Sequence, residues 1–196
     1  MDYTQLDDRE LALRAPQLGE RAFREILRRY ERPVFSLVFR ILRNREEAEE
    51  TAQDAFVKAF GAIDRYDPSY RFSSWIFKIA NNLALDRLRK RELDTVPLDG
   101  SAHATSAEEG ERTRIIPPDP GEGPDRYTEN RELGSRIDQA LGHLRPEYRS
   151  AVILRHVEGR SYEEVGRIMG IPEGTAKTYV HRARSDLQEL LAAVQR

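Results

Sequence analysis

The sequence contains no cysteine. Disulfide bonds, thiolate catalysis and cysteine-ligated zinc are therefore excluded. No apolar run is long enough to cross a bilayer. The acidic first residues lack the basic and apolar segments of a signal peptide. Together these absences predict a cytoplasmic protein that does not insert into a membrane and whose fold needs no covalent cross-link.

Patterns typical of catalysis and of metal binding are missing as well. The chain has four histidines, and none has the spacing of a metal-ligand motif. No glycine-rich phosphate loop and no nucleophile elbow occurs in the sequence. We therefore expect no enzymatic activity, no metal site and no cofactor.

The residues that are present are strongly charged and unevenly distributed. The 196-residue chain is 34% charged and 39% hydrophobic, with a net charge of −2. Residues 94–128 hold half of the ten prolines, and their acidic residues outnumber their basic ones by eight to three. Such a segment has too few apolar side chains to offset the entropy of ordering. It predicts a flexible acidic linker (94–128) between two domains, 1–93 and 129–196.

The first domain has helical periodicity throughout and no alternating strand pattern. Helices are predicted over residues 6–18 and 20–31, from Pro33 onwards, and over 45–63. Asn44 and Glu47 form a pattern close to a capping box at the start of the last of these helices. The predicted fold class is all-α.

The predicted helix 45–63 has one alanine-rich face and one polar face. The alanine face allows close helix packing, whereas the polar face carries acids and one apolar side chain. A solvated surface and a docking surface for a basic partner are both consistent with this pattern. The polar face consists of Glu46, Glu50, Gln53, Asp54 and Val57.

The stretch 66–93 joins an aromatic-rich loop to a helix, with Ser73 or Ser74 predicted to cap its first turn. At 100° per residue, two cations and an amide share one side of this helix, with Trp75 at their edge. Aromatic rings beside cations suit single-stranded nucleic acid, although a core helix with a basic end would look similar. The three polar residues are Lys78, Asn82 and Arg89.

The second domain carries the pattern of a helix-turn-helix. A capping box at Ser161 and Glu164 opens a short helix that Gly170 ends, and a long helix follows a tight turn. The outer face of the long helix is polar, and its side chains suit phosphates and base edges in a major groove. This face consists of Lys177, Thr178, His181, Arg182 and Ser185.

Four long motifs together resemble one family, the extracytoplasmic-function (ECF) sigma factors, which form the compact two-domain branch of the sigma-70 family. They occur in the family's order and cover both domains. The motifs are FREILRRYERPVF, EEAEETAQDAFVKAF, FSSWIFKIANNLALDRLRKR and LRPEYRSAVILRHVEGRSYEEVGRIMGIPEGTAKTYVHRAR.

This resemblance implies a protein that binds core RNA polymerase, recognises −35 and −10 promoter elements and initiates transcription of a specific regulon, for example under stress. Polymerase would be bound at the clamp helices of its largest subunit and at its flap, with the acidic linker in the cleft. Many relatives are controlled by an anti-sigma factor, which is a further expected partner. The implied clamp contacts are Glu50, Gln53, Asp54 and Val57.

The resemblance also implies DNA contacts in both domains. In the first, Tyr66 would lie beside a base extruded from the −10 element and Asn82 would line its pocket, with Trp75, Lys78 and Arg89 nearby. In the second, the long helix would enter the major groove of the −35 element through Lys177, Thr178, His181 and Arg182. The implied phosphate contacts are Arg160, Ser161 and Tyr162.

Two other classes of protein share parts of this sequence pattern. A helix-turn-helix regulator would bind duplex operator DNA without polymerase. An adaptor would bind only proteins, which the polar outer face of the last helix disfavours. The aromatic loop beside Lys78 and Asn82 argues against the regulator, because a ligand-sensing domain needs no surface for stacking single-stranded bases.

Overall fold

The computed structural model describes residues 3–94, 134 and 136–193. These residues form eight α-helices and no β-strand, which confirms the all-α class. Two short 3-10 helices, Tyr3–Gln5 and Ile63–Arg65, connect to them. The α-helices are α1 (Asp8–Leu18), α2 (Glu20–Leu42), α3 (Arg45–Gly61), α4 (Phe72–Asp94), α5 (136–143), α6 (Pro146–His156), α7 (Tyr162–Met169) and α8 (Glu173–Ala193).

Two predictions have different outcomes: one concerns residues 1–93, which we call the first region, and the other concerns the linker. The prediction of separate helices on either side of Pro33 was wrong, because α2 runs through this proline without a break. Proline removes one helical hydrogen bond, but the buried side chains Tyr30, Val34 and Leu37 continue in phase across it. The predicted linker lies outside the described residues except at its first position. Among the described residues, no helix is both long and apolar enough to cross a membrane.

The helix ends follow the capping patterns of the sequence. The Asn44 side chain accepts a hydrogen bond from the Glu47 amide at 3.0 Å. Ser161 and Glu164 form a complete capping box at the start of α7. Gly170 ends α7 with a φ of +69°, a conformation that glycine adopts without strain. The turn between α7 and α8 is therefore tightly defined.

The N-terminal helix is held to α2 by a polar cluster. Arg29 bonds to the carboxylates of Asp8 and Glu25 at 2.8 and 2.7 Å. The Tyr30 hydroxyl donates to Asp8 at 2.5 Å. Hydrogen bonds from Arg28 and Arg29 lower the pKa of Glu25 to about 2. The cluster fixes α1 against the helix on which the first region is built.

The two halves of the chain pack directly against each other. Helix α4 contacts α7 and α6, and α2 contacts α6, so that one hydrophobic cluster includes residues from both halves. The first part of helix α4 is consequently largely covered, with Ile76, Phe77 and Ala80 all buried, whereas no described residue of α4 after Leu85 is buried. The expected cap at Ser73 or Ser74 was wrong. Helix α4 begins at Phe72, and both serines make hydrogen bonds to the segment 160–164 instead.

Candidate nucleic-acid interface

The outer face of α8 is open to solvent, as the sequence predicts. We name Lys177, Thr178, His181 and Arg182 the α8 surface, and all four are exposed. They lie on one side because α8 buries the opposite side, which includes Ala176, Val180 and Ala183.

Neighbouring side chains orient the cations of the α8 surface. The Lys177 ammonium lies 2.8 Å from Glu173, and this partner raises the pKa of Lys177. Arg182 donates to the Tyr148 hydroxyl at 2.9 Å. The Thr178 hydroxyl donates to the Gly174 carbonyl at 2.9 Å. Both charges therefore project from a fixed helix with their side chains partly ordered before any contact with DNA.

The three predicted phosphate contacts before and at the start of α7 have different environments. Ser161 is exposed and caps the helix. Tyr162 is half-buried beneath the guanidinium of Arg155, which lies 4.7 Å from the ring centre. The Arg160 side chain is only 13% exposed and donates to the Ser73 hydroxyl of α4 at 2.9 Å. Of the three, Arg160 is turned away from solvent and towards the first region.

The polar residues predicted on α4 share an exposed strip, which we name, together with Trp75, the α4 surface. Lys78, Asn82 and Arg89 are all exposed, and Arg89 pairs with Asp86 at 3.0 Å. Trp75 is half-buried at the edge of this strip. One amide, two cations and one aromatic ring thus lie along the same side of α4, as the helical spacing predicts.

Tyr66 lies beneath this strip rather than on it. It is 5% exposed, and its ring centre is 5.4 Å from that of Phe72 and 5.6 Å from that of Trp75. Its hydroxyl donates to the Tyr70 carbonyl at 2.7 Å, and burial raises the pKa of Tyr66. The ring therefore has no free face for a base in this arrangement. Base contact by Tyr66 stays a prediction, and it requires the loop to rearrange.

The acidic face of α3 is a third exposed surface. We name Glu50, Gln53, Asp54 and Val57 the α3 surface, and Val57 is 71% exposed. Glu50 pairs with Arg87 of α4 at 2.5 Å. A negatively charged face around an exposed apolar side chain is suited to a basic protein partner with an apolar contact of its own.

Sequence reasoning missed the residues that join the two halves. Arg149 is buried and donates to the Ile41 carbonyl at 2.6 Å, and Ser150 donates to the side chain of buried Asn81. No local pattern distinguishes such residues from ordinary helix positions, because the contacts are between residues far apart in sequence. By contrast, Glu173 could have been identified as the partner of Lys177 from the i,i+4 spacing.

Comparisons with known proteins agree with this arrangement. The profile of Sigma-70 region 2 matches residues 26–93, and that of Sigma-70 region 4 matches residues 135–187. The ECF RNA polymerase sigma factor SigW of Bacillus subtilis is 36% identical over 87% of this chain and 89% of its own. The RNA polymerase sigma-H factor of Pseudomonas aeruginosa is 30% identical over 98% of both chains.

A solved structure is similar in sequence and in fold. It is a co-crystal structure of the sigma factor RpoE in complex with the anti-sigma factor NepR from Bartonella quintana. The match has a TM-score of 0.65 at 28% identity, and it covers 87% of this chain and 96% of that one. The two family profiles match both helical halves of the chain, and the relatives match over most of their own lengths. The chain therefore belongs to the ECF sigma factors of the sigma-70 family.

Proposed function

We propose that this sigma factor directs core RNA polymerase to promoters through the α3, α4 and α8 surfaces, each with a different partner. The observation that carries the proposal is that one chain exposes an acidic face and two cationic faces on separate helices. An operator-binding regulator needs only the α8 surface. The proposed domain boundaries are 1–93 for polymerase binding and −10 recognition, 94–128 for the linker, and 129–196 for −35 recognition.

The α3 surface is the proposed site of polymerase binding. Asp54 and Gln53 present polar groups beside the exposed Val57, and Glu50 is held towards α4 by Arg87. An interface with an apolar centre and complementary charges combines affinity with orientation. The proposed partner regions are the clamp helices of the largest polymerase subunit, with the flap as a second contact for the domain 129–196.

The α4 surface is the proposed reader of the melted −10 element. Lys78 and Arg89 would neutralise phosphates of the non-template strand, and Asn82 offers both a donor and an acceptor to an extruded base. Extruding a base costs a few kcal/mol, and stacking on an aromatic ring can return roughly 1–3 kcal/mol. The half-buried Trp75 and the buried Tyr66 are the proposed stacking residues, once the loop has rearranged.

The α8 surface is the proposed reader of the −35 element. Lys177 and Arg182 would contact phosphates or guanine edges, and Thr178 and His181 lie between them on the same side of the helix. Lysine donates as a point charge and does not hold guanine as the planar fork of arginine does. Ser161 would contact phosphates of the DNA backbone beside the α8 surface. Tyr162 and Arg160 would do the same after these two side chains become accessible.

A protein partner that holds the factor inactive is also proposed. The relative RpoE was solved in complex with an anti-sigma factor, and its fold extends over 87% of this chain. Control by such a partner fits a cytoplasmic factor that activates a specific regulon under stress. The chemistry of RNA synthesis would belong to the polymerase and not to this chain.

Transcription from a library of random duplex fragments tests the proposal directly. Core polymerase with this chain should produce transcripts whose start sites share two upstream sequence motifs, near −10 and −35. Core polymerase alone should show neither motif. Transcripts without shared motifs, combined with tight duplex binding by the free chain, would instead support the operator-binding regulator.

A further inference from the structure

Tyr148, in the first turn of α6, connects that helix to the α8 surface. Its hydroxyl accepts a hydrogen bond of 2.9 Å from Nη1 of Arg182. The two residues are 34 positions apart, so this contact exists only because α6 packs against α8. A side chain that lies outside the helix-turn-helix therefore controls where the Arg182 guanidinium is held.

The Tyr148 ring is itself held in place. It is half-buried and packs against a small hydrophobic cluster that includes Val152 and Ala183. Its centre lies 5.2 Å from that of the Tyr179 ring, at an interplanar angle of 56°, and tilted aromatic pairs of this kind are favourable. The Arg145 guanidinium lies 5.9 Å from the same ring centre. The hydroxyl is thus a fixed acceptor and not the end of a freely rotating side chain.

The two cations of the α8 surface are held by partners of different charge. Lys177 is paired with the carboxylate of Glu173, so that part of its charge is neutralised in the free protein. The phenol of Tyr148 is a neutral partner, and Arg182 keeps its full charge while its position is restricted. The hydroxyl accepts from one of the five N–H groups of the guanidinium, which leaves the others available to DNA. Arg182 is therefore both exposed and oriented.

The orientation of a guanidinium matters more for recognising a base than for binding a phosphate. A phosphate attracts a positive charge from many directions, and this attraction contains no sequence information. Guanine presents two acceptors, O6 and N7, in the major groove, and arginine binds both only when its plane matches theirs. An arginine that is already fixed also loses less side-chain freedom on contact, which favours the bound state. A residue that fixes the plane of Arg182 should consequently affect base selection.

We propose that Tyr148 is a positioning residue for −35 recognition: its hydroxyl holds the Arg182 guanidinium so that it can bind O6 and N7 of one guanine. This inference rests on the proposed function of the α8 surface. Tyr148 acts only through Arg182, and its effect is confined to the base pair that Arg182 contacts. Removing the hydroxyl should leave the charge of the α8 surface unchanged but reduce the preference for guanine at that base pair.

Transcription from a library of random duplex fragments measures base preference at every position of the upstream motif. Core polymerase is combined with wild-type chain or with one variant, and the motifs near −35 are compared. Tyr148→Phe keeps the ring and its packing and removes the acceptor. Tyr179→Phe removes a hydroxyl from the neighbouring ring, which lies outside the α8 surface, and is the matched control. Arg182→Lys keeps the charge, loses the planar fork and identifies the base pair concerned.

Wild-type chain should select guanine at one −35 position, and Arg182→Lys should abolish that preference. Tyr148→Phe should reduce it about five-fold, because a good bidentate contact discriminates by at least this factor. The other positions and the salt dependence of binding should be unchanged in Tyr148→Phe, since every charge remains in place. Tyr179→Phe should match wild type.

Full guanine selection by Tyr148→Phe would overturn the inference, and so would an equal loss of selection at all positions, which would indicate a merely structural role. A −35 motif without a guanine that depends on Arg182 would overturn it as well. The absence of any shared motif with wild-type chain would instead contradict the proposed function itself.

Discussion

The two proposed DNA-reading helices differ in how completely their surfaces are formed. The α8 surface has all four of its side chains exposed, and partners such as Glu173 and Tyr148 orient its cations. Beside the α4 surface, the polar residues are exposed but Tyr66 is buried in the core. A surface that binds duplex DNA can be fully formed in the free protein. A surface that binds melted DNA needs aromatic rings for stacking, and in the free protein these rings would be exposed apolar surface.

The unfavourable exposure of aromatic rings on the free protein explains this difference. An exposed cluster of aromatic rings would be an apolar patch on the free protein, and such patches promote unwanted association. Packing Tyr66 against Phe72 and Trp75 avoids this exposure. The charged α8 surface has no such cost, because water solvates it well. Three tests by substitution address the contrast, in order of decreasing expected effect.

Of the substitutions tested, Tyr66→Ala should have the largest effect, a loss of stability of the first region. The ring is buried between Phe72 and Trp75, and truncating a buried aromatic side chain typically costs about 3 kcal/mol or more. Urea unfolding of the variant should show this loss. Tyr66→Phe, which keeps the ring and removes only the bond to the Tyr70 carbonyl, should lose about 1 kcal/mol. A Tyr66→Ala variant as stable as wild type would mean that the ring is already free for bases.

Replacing both Lys177 and Arg182 with alanine should weaken duplex binding by about 30-fold. It should also reduce the slope of log affinity against log salt by about 2, because roughly one counterion is released per phosphate contact. Fluorescence anisotropy over a range of salt concentrations measures both quantities. Arg21→Ala with Lys58→Ala removes two exposed cations from the other half and serves as the matched control. An unaltered salt slope in the α8 variant would remove this surface from the DNA interface.

Asn82→Ala should have the smallest effect, and only on promoter opening. The side chain is exposed and is not part of the core, so stability and polymerase binding should be unchanged. Loss of a hydrogen bond to an extruded base should reduce the yield of open complex by about five-fold, or ~1 kcal/mol. Permanganate reactivity of melted thymines measures this yield. Equal reactivity in variant and wild type would count against the assigned pocket.

Much of this architecture could be predicted from the sequence because it depends on local patterns. The exposed faces of α3, α4 and α8 follow from helical spacing, and the cap at Asn44 and the capping box at Ser161 follow from short motifs. These features involve residues within one or two helical turns, where sequence separation and spatial separation correspond.

The parts that could not be predicted depend on contacts between distant segments. Helix α2 continues through Pro33 because packing on both sides of the proline outweighs one lost hydrogen bond. Ser73 faces Arg160, 87 positions further along the chain, instead of capping its own helix. The burial of Asn81 depends equally on the docked second half, and neither local propensity nor periodicity contains that information.

Polymerase binding through α3 is the central claim, and it is tested most directly by size-exclusion chromatography with purified bacterial core RNA polymerase. Wild-type chain should co-elute with the core enzyme. Asp54→Arg, which reverses one charge on the α3 surface, should lose most of this association. Asp64→Arg, which makes the same change at an exposed position outside that surface, should retain it. Co-elution of all three proteins would remove α3 from the interface, and co-elution of none would contradict the account of how this sigma factor works.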